Sequence, residues 1–184
     1  MTQHKKAVEE NIRDTWGSTA DERAEVFPCD AILPEGDACY RGVTVFADDP
    51  TVFRWLCQLR AAPYSYDWID NFGRRSPQTL TPGFDELEVG QRMMSIFTLV
   101  SFVIDEHITI RTRGGSEKAP FFGETAVSYT VVPVSKNETR LIVKILFEYP
   151  RGPLGWLMRV MLPWGDLIMM RRQLLNLKRL AEGD

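Results

Sequence analysis

The chain has 184 residues, of which 44% are hydrophobic and 26% charged, and a formal net charge of −3. This length and composition are typical of one globular domain that needs no disulfide to stabilise its core. The charge balance, and the separation of aromatic from basic residues, argue against a nucleic-acid-binding surface. Three cysteines without a CxxC pair and an N-terminus without an apolar run indicate a cytoplasmic protein with reduced thiols.

The two ends of the chain differ in charge. Residues 1–38 carry four basic and nine acidic side chains, whereas residues 151–184 carry six basic and three acidic side chains. We therefore expect residues 1–38 to form an arm that packs on a single domain made of residues 39–184.

The arm contains one helix signal and two breaks. Thr19 followed by Glu22 is a capping-box pattern, which predicts a short helix beginning there. Pro28 and Pro34 then indicate an extended linker.

The domain opens with a strand followed by helices. Residues 39–47 are rich in β-branched and aromatic side chains, which favours a strand. The run Asp48-Asp49-Pro50 supplies an N-cap and a first-turn proline, so a helix is predicted over residues 50–59. A second, shorter helix is predicted over residues 64–72.

A loop and a β-rich region come next. Residues 73–90 contain two prolines and three glycines, and so long a connection is typical of a functional loop such as a lid. Four segments rich in Val, Ile, Thr and Phe then predict the strands of an antiparallel meander. They are residues 92–104, 107–113, 121–134 and 139–149.

The last segment has a helical period. Apolar residues recur at steps of three and four, which predicts a long amphipathic helix; they are Leu167, Met170, Leu174, Leu177 and Ala181. Pro163 and Gly165 interrupt the apolar run, so we expect a break there and a helix in two parts.

This order of elements is that of the helix-grip fold, and three groups of residues point to a family. They are Trp16-Gly17-Ser18-Thr19, Val52-Phe53-Arg54-Trp55-Leu56 after Asp49-Pro50, and Tyr64-Ser65-Tyr66-Asp67-Trp68-Ile69-Asp70-Asn71 with Gly73-Arg74-Arg75-Ser76. Through them the chain resembles the SRPBCC superfamily, the START-like group that includes polyketide cyclase/dehydrase-type proteins. The resemblance covers most of residues 14–182.

The resemblance implies an α+β helix-grip fold, in which a curved antiparallel sheet wraps around a long C-terminal helix and two short helices follow the first strand. It also implies a largely apolar cavity between sheet and helix that binds lipids, polyketides or other hydrophobic small molecules. It does not imply one chemistry, because the superfamily includes enzymes, carriers and sensors.

Segment position and strand alternation predict which side chains would line such a cavity. They are Trp55, Tyr64, Tyr66, Trp68, Phe97, Tyr129, Val143, Ile145, Phe147, Met158, Met161 and Met170. The methionines suit a lining that adapts to variable apolar ligands, although filling a core is the simpler interpretation.

The best candidates for acid–base chemistry are Asp67, Asp70 and Tyr66. The two carboxylates are three residues apart and would share one face of a helix, where one can raise the pKa of the other. The alternative is that they cap the short helix or pair with Arg74 and Arg75.

Other catalytic and cofactor patterns are not found in the sequence. There is no G-x-S-x-G elbow, P-loop or dinucleotide-binding glycine motif. His107 and Asp105 would share a strand face, but two ligands do not make a metal site. The sequence therefore predicts no metal and no cofactor. It favours a carrier or sensor of a hydrophobic small molecule, with a cyclase- or dehydratase-like enzyme acting on a polyketide-like substrate as the alternative.

Residues 156–164 combine two tryptophans with a basic neighbour, which suits peripheral contact with a membrane surface. The segment is too short and too interrupted to span a bilayer. Burial against the sheet would give the same pattern, and it is the interpretation we prefer from the sequence.

Overall fold

The computed structural model describes residues 11–70, 73–113 and 123–183. Within these ranges, six strands form one antiparallel sheet in the order β1-β6-β5-β4-β3-β2. Their bounds are Asp37–Val45 (β1), Arg92–Met93 (β2), Phe97–Val103 (β3), His107–Thr112 (β4), Glu124–Ser135 (β5) and Glu138–Glu148 (β6). The first and last strands therefore lie side by side.

The described residues also form α-helices and short 3-10 helices. The α-helices are Ile12–Thr15 (α1), Ala20–Ala24 (α2), Asp49–Cys57 (α3), Asp67–Asp70 (α4) and Pro153–Glu182 (α5). The 3-10 helices are Pro28–Ala31 and Gln58–Arg60. The predicted turn at Gly114-Gly115 lies outside the described residues, as does the end of the predicted helix over residues 64–72.

Two predicted helix starts are confirmed by their capping contacts. Thr19 Oγ1 accepts a 3.2 Å hydrogen bond from the Glu22 amide, and Glu22 Oε2 accepts a 2.8 Å bond from the Thr19 amide. Asp48 Oδ1 accepts a 3.1 Å bond from the Thr51 amide at the start of α3. Each cap satisfies amides that have no partner inside the first helical turn.

The main core lies between the sheet and α5. On β6, Leu141, Val143 and Ile145 alternate toward this core, as the period of a strand requires. From the other side, Leu174 and Leu177 of α5 are buried against them. We call the space between the inner face of the sheet and α5 the grip.

The outer face of the sheet carries a second, smaller core because the N-terminal residues cover it. Phe27, Cys29 and Leu33 pack against Ile142 and Leu146 of β6. The Cys29 amide also donates a 2.9 Å hydrogen bond to the Ser128 hydroxyl of β5. This cover explains why β6 has apolar residues on both faces. The division of the chain at residues 38 and 39 stays a prediction.

The C-terminal helix is continuous, so the predicted division into two parts at Pro163 is wrong. A proline inside a helix removes one amide donor and strains the preceding turn. Here Met158 and Leu167, on either side of Pro163, are both buried, so packing holds the two halves in one helix. The Pro163 carbonyl accepts a 3.4 Å hydrogen bond from Arg41 Nη2.

Candidate functional site

Charged and polar side chains lie inside the grip, where apolar packing would be expected. Arg41 of β1 is fully buried, and its Nη2 donates a 2.7 Å hydrogen bond to Asp166 Oδ2 of α5. Burial raises the pKa of Asp166 to about 6, although the facing guanidinium works in the opposite direction. Arg41 Nη1 donates a further 2.8 Å bond to the Tyr40 carbonyl.

A second polar contact crosses the grip from β5 to α5. The Tyr129 hydroxyl donates a 2.8 Å hydrogen bond to Gln173 Oε1, and Gln173 Nε2 donates a 2.6 Å bond to the Pro63 carbonyl. Burial, with the charge of Asp166 nearby, raises the pKa of Tyr129. We call Arg41, Asp166, Tyr129 and Gln173 the inner polar cluster.

Tyr64 lies at the border of the grip in an unusual backbone conformation. Its φ of 54° is in the left-handed region, which is costly for a large side chain. Its carbonyl accepts a 2.8 Å hydrogen bond from Asn176 Nδ2, and its ring meets Trp55 edge-on at 6.3 Å between centroids. The buried hydroxyl has no hydrogen-bond partner among the described residues, and burial raises its pKa to about 12. Strain and an unpaired hydroxyl together mark Tyr64 as a candidate ligand contact.

An open cleft of about 300 Å³ lies at the end of the grip where α5 begins. Its walls are residues 32–37 of the arm and first strand, residues 147–149 at the end of β6, and Arg159 of α5. We call it the end cleft. The rings of Phe147 and Tyr149 stack at 5.8 Å between centroids, and the Arg159 guanidinium lies 5.4 Å from the Tyr149 ring centroid.

The end cleft has a charged rim. Arg159 Nε lies 2.7 Å from Asp37 Oδ2, and Glu35 and Glu148 also line the opening. The Tyr149 hydroxyl is buried without a partner among the described residues, and burial raises its pKa. The cleft thus combines an apolar aromatic wall with one cation and an unpaired hydroxyl.

The predicted ligand-binding residues occupy three environments. Buried positions are taken by Trp55, Tyr64, Tyr129, Val143, Ile145, Phe147, Met158 and Met170. Tyr66 and Phe97 are half-buried. Trp68 and Met161 are 76% and 61% exposed, so they lie outside the core. Phe147 also lines the end cleft, and a binding role for the set stays a prediction.

Asp67, one of the acid–base candidates, has both carboxylate oxygens engaged. Oδ2 accepts a 2.9 Å hydrogen bond from the Ser76 amide, and Oδ1 a 2.5 Å bond from the Ser76 hydroxyl. Tyr66 lies beneath Arg172, whose guanidinium carbon is 5.9 Å from the ring centroid. The side chain of Asp70 is outside the described residues. Asp67 therefore holds the start of the loop over residues 73–90 in place through Ser76. That this loop acts as a lid stays a prediction.

Sequence reasoning missed most of the polar groups described above. Arg41, Asp166 and Gln173 were not selected, although two signals pointed to them. Arg41 alternates with the apolar Cys39 and Val43 on one strand face, and Asp166 sits inside an apolar helical run. A charge at a position whose neighbours are buried is a recognisable sign of a paired interior ion.

Within residues 11–70, 73–113 and 123–183, no group of three His, Cys, Asp or Glu side chains is placed to hold a metal ion. No helix in those ranges combines the length and apolarity that crossing a membrane requires.

Solved structures of similar shape are known, although no family model and no curated protein matches the chain. A protein from Arthrobacter aurescens is 16% identical over 82% of this chain and 88% of its own, with a TM-score of 0.52. A protein from Chromobacterium violaceum is 14% identical over 80% of this chain and 99% of its own, with a TM-score of 0.50. A START superfamily protein from Mycobacterium smegmatis aligns with a TM-score of 0.44, at 15% identity over 80% of this chain and 96% of its own.

At 14–16% sequence identity, the similarity to these solved structures concerns the fold alone. The six-stranded antiparallel sheet and the long C-terminal helix packed on it confirm the predicted α+β helix-grip fold. The chain is thus a helix-grip protein by fold.

Proposed function

We propose that the chain binds a hydrophobic small molecule, such as a lipid, polyketide or aromatic compound, and acts as its carrier or sensor. The proposal rests on the presence of the end cleft. Its volume of about 300 Å³ is at the lower end of the range for small-molecule sites. Its stacked Phe147 and Tyr149 rings offer the flat apolar surface that an acyl chain or aromatic ring would contact.

Unpaired buried groups support a ligand that also has a polar end. Among the described residues, the Tyr149 hydroxyl in the end cleft is buried without a hydrogen-bond partner, as are Arg41 Nε and the Tyr64 hydroxyl, which lie outside the cleft. A buried donor without a partner costs about 1–3 kcal/mol, and a ligand oxygen at that position would remove the cost. Arg159 at the cleft rim, which pairs with Asp37 at 2.7 Å, would exchange that partner for a carboxylate or phenolate at the outer end of such a ligand.

The enzymatic alternative has less support from the geometry. A cyclase- or dehydratase-like reaction would use Asp67, Asp70 or Tyr66 as acid or base, yet both oxygens of Asp67 already accept hydrogen bonds from Ser76. A general acid or base must reach the substrate proton. We therefore favour binding over catalysis. We also propose that the protein uses no cofactor or metal and acts in the cytoplasm.

Two measurements test the proposal. Native mass spectrometry of freshly purified protein, followed by organic extraction, should reveal an apolar molecule bound to it. Titration with the fluorescent probe 1-anilinonaphthalene-8-sulfonate should then show saturable binding. Tyr149→Ala should weaken it about tenfold, since roughly 1.4 kcal/mol of ring contact is lost.

Phe46→Ala is the matched control for that substitution. Phe46 is also an aromatic ring beside a cation, with Lys178 Nζ 4.7 Å from its centroid, but it is 64% exposed and outside the end cleft. The control should bind the probe like the wild type. A protein that neither carries a molecule nor binds the probe, or equal losses in the two variants, would contradict the proposal.

A further inference from the structure

The first half of α5 presents an apolar face to solvent. Its exposed members are Leu154, Trp156, Leu157, Val160, Met161, Trp164 and Ile168, each between 41% and 69% exposed. We call them the outer apolar face. The preference for burial of residues 156–164 is therefore wrong for most of the segment, because only Met158 and Pro163 within it are buried.

This face is continuous along the helix. Leu157, Met161, Trp164 and Ile168 follow one another at steps of four, three and four, which places them on one side of α5. A surface helix normally has polar residues on the side that points away from the core. Residues 154–168 would span about 22 Å along the axis, and the tryptophans are the largest side chains on this stretch.

The charges that α5 itself places at the border of the face are basic. Arg151, Arg159, Arg171 and Arg172 are exposed at its ends and flank. Asp166 is the sole acidic residue between positions 151 and 181, and its carboxylate points inward to Arg41. Arg159 pairs with Asp37 of β1 at 2.7 Å, whereas Arg151, Arg171 and Arg172 have no exposed acidic neighbour on α5 itself, so this side of the helix carries net positive charge.

A short neighbouring segment extends the apolar surface. The Ser65 hydroxyl lies 3.5 Å from Met169 Sδ, and Tyr66 lies beneath Arg172, so residues 65–66 run beside α5. Trp68 and Ile69 follow directly and are 76% and 53% exposed. A third tryptophan thus stands close to the same side of the molecule.

We propose that the outer apolar face docks on the surface of a lipid bilayer that contains anionic lipids. Tryptophan and aliphatic side chains partition into the boundary between headgroups and acyl chains, and bordering arginines pair with lipid phosphates. The helix would lie parallel to the membrane plane, because residues on its opposite side, from Met158 to Leu180, are buried in the protein.

The charges favour a membrane over a second copy of this chain. In a dimer formed through this face, Arg171 and Arg172 of two α5 helices would approach each other, with no exposed carboxylate on α5 itself to pair with them. An anionic bilayer offers the complementary charge. None of the side chains of the outer apolar face lines the end cleft, so binding to a bilayer does not depend on the proposed ligand.

Vesicle flotation tests the inference. The full chain is mixed with vesicles of phosphatidylcholine alone or of equimolar phosphatidylcholine and phosphatidylglycerol. We expect binding to the anionic vesicles to be tighter by about tenfold or more, and to weaken at high ionic strength. Equal binding to both kinds of vesicle, or no binding to either, would overturn the proposal.

Substitutions locate the contact. Trp164→Glu should reduce binding to the anionic vesicles by about tenfold or more, because a charge would enter the interface. Ile104→Glu is the matched control, since Ile104 is 65% exposed but lies between β3 and β4, away from α5. The control should bind as the wild type does. Equal losses in both variants would overturn the assignment to α5.

Two more experiments test the role of the arginines and the alternative that a second copy of the chain covers the face. The double variant Arg171→Gln and Arg172→Gln should bind anionic vesicles less tightly, whereas Lys136→Gln, in the turn between β5 and β6, should not. Static light scattering of the wild type without vesicles should give the monomer mass. A dimer that Trp164→Glu dissociates would overturn the proposal, because a second copy would then cover the face.

Discussion

Arg41 of the first strand and Asp166 of the last helix form a buried ion pair across the grip. Nη2 of Arg41 donates to Oδ2 of Asp166 over 2.7 Å, although 125 positions separate the two residues in the chain. The arginine side chain has no exposed surface, so it depends on this carboxylate and on backbone carbonyls for its hydrogen bonds. The pair therefore connects the two ends of the domain.

Removing the carboxylate should destabilise the fold strongly. Asp166→Ala leaves a buried guanidinium without its counter-charge, and we expect a loss of about 3–5 kcal/mol in the free energy of unfolding at pH 7.5. Urea denaturation followed by circular dichroism measures it. The control is Glu124→Ala, which breaks the half-exposed pair with Arg111 and should cost less than about 1 kcal/mol. A loss at Asp166 no larger than the control's would show that the interior pair is not formed.

The same carboxyl should make stability depend on pH. The folded state raises the pKa of Asp166 from 3.8 to about 6, so between these values the folded chain holds a proton that the unfolded chain has released. This contribution to stability is complete below pH 4 and is lost as the pH rises through 6. The free energy of unfolding of the wild type minus that of Asp166→Asn should therefore fall over this interval. A difference that does not change with pH would contradict the raised pKa.

Two buried tyrosines should respond differently to loss of the hydroxyl. Tyr129→Phe leaves Gln173 Oε1 without its donor, at a cost of about 1–2 kcal/mol. Tyr64→Phe removes a hydroxyl that has no partner among the described residues, so stability should stay within about 0.5 kcal/mol or rise. Thermal or urea unfolding of the pair gives the comparison, and equal losses would show that Tyr64 has a protein partner.

The arm should contribute to stability through its side chains. Phe27 is buried against the outer face of the sheet, whereas its neighbour Val26 is 87% exposed. Phe27→Ala should cost about 3 kcal/mol, and Val26→Ala should change the free energy of unfolding by no more than about 0.5 kcal/mol. If the two substitutions had the same effect, the arm would not be packed in solution.

The fold could be predicted from the sequence because several signals were local. The Thr19 and Asp48 caps depend on residues three positions apart, and strand alternation in β6 follows from the backbone itself. The start of β1 was predicted two residues late, at 39 rather than Asp37. The break expected at Pro163 did not occur because tertiary packing outweighs the local effect of one proline.

The candidate site could be predicted only in part, because its residues come together through distant contacts. Nothing in the local sequence indicates that Arg41 faces Asp166, or that residues 32–37 close one side of the end cleft. The exposure of Trp156 and Trp164 could not be predicted from the local sequence either, because it depends on which side of α5 packs on the sheet. Periodicity identifies two faces of a helix, and packing decides which one is covered.

The pairing of β1 with β6 has a consequence for synthesis of the chain. Strand β1 is made early, but its hydrogen-bonded neighbour ends at Glu148, and the helix that covers both ends at Glu182. On the ribosome, β1 must therefore remain an unpaired strand until β6 has emerged. We expect truncated chains that end before α5 to aggregate rather than fold, which makes synthesis of α5 the step that commits this domain to its native state.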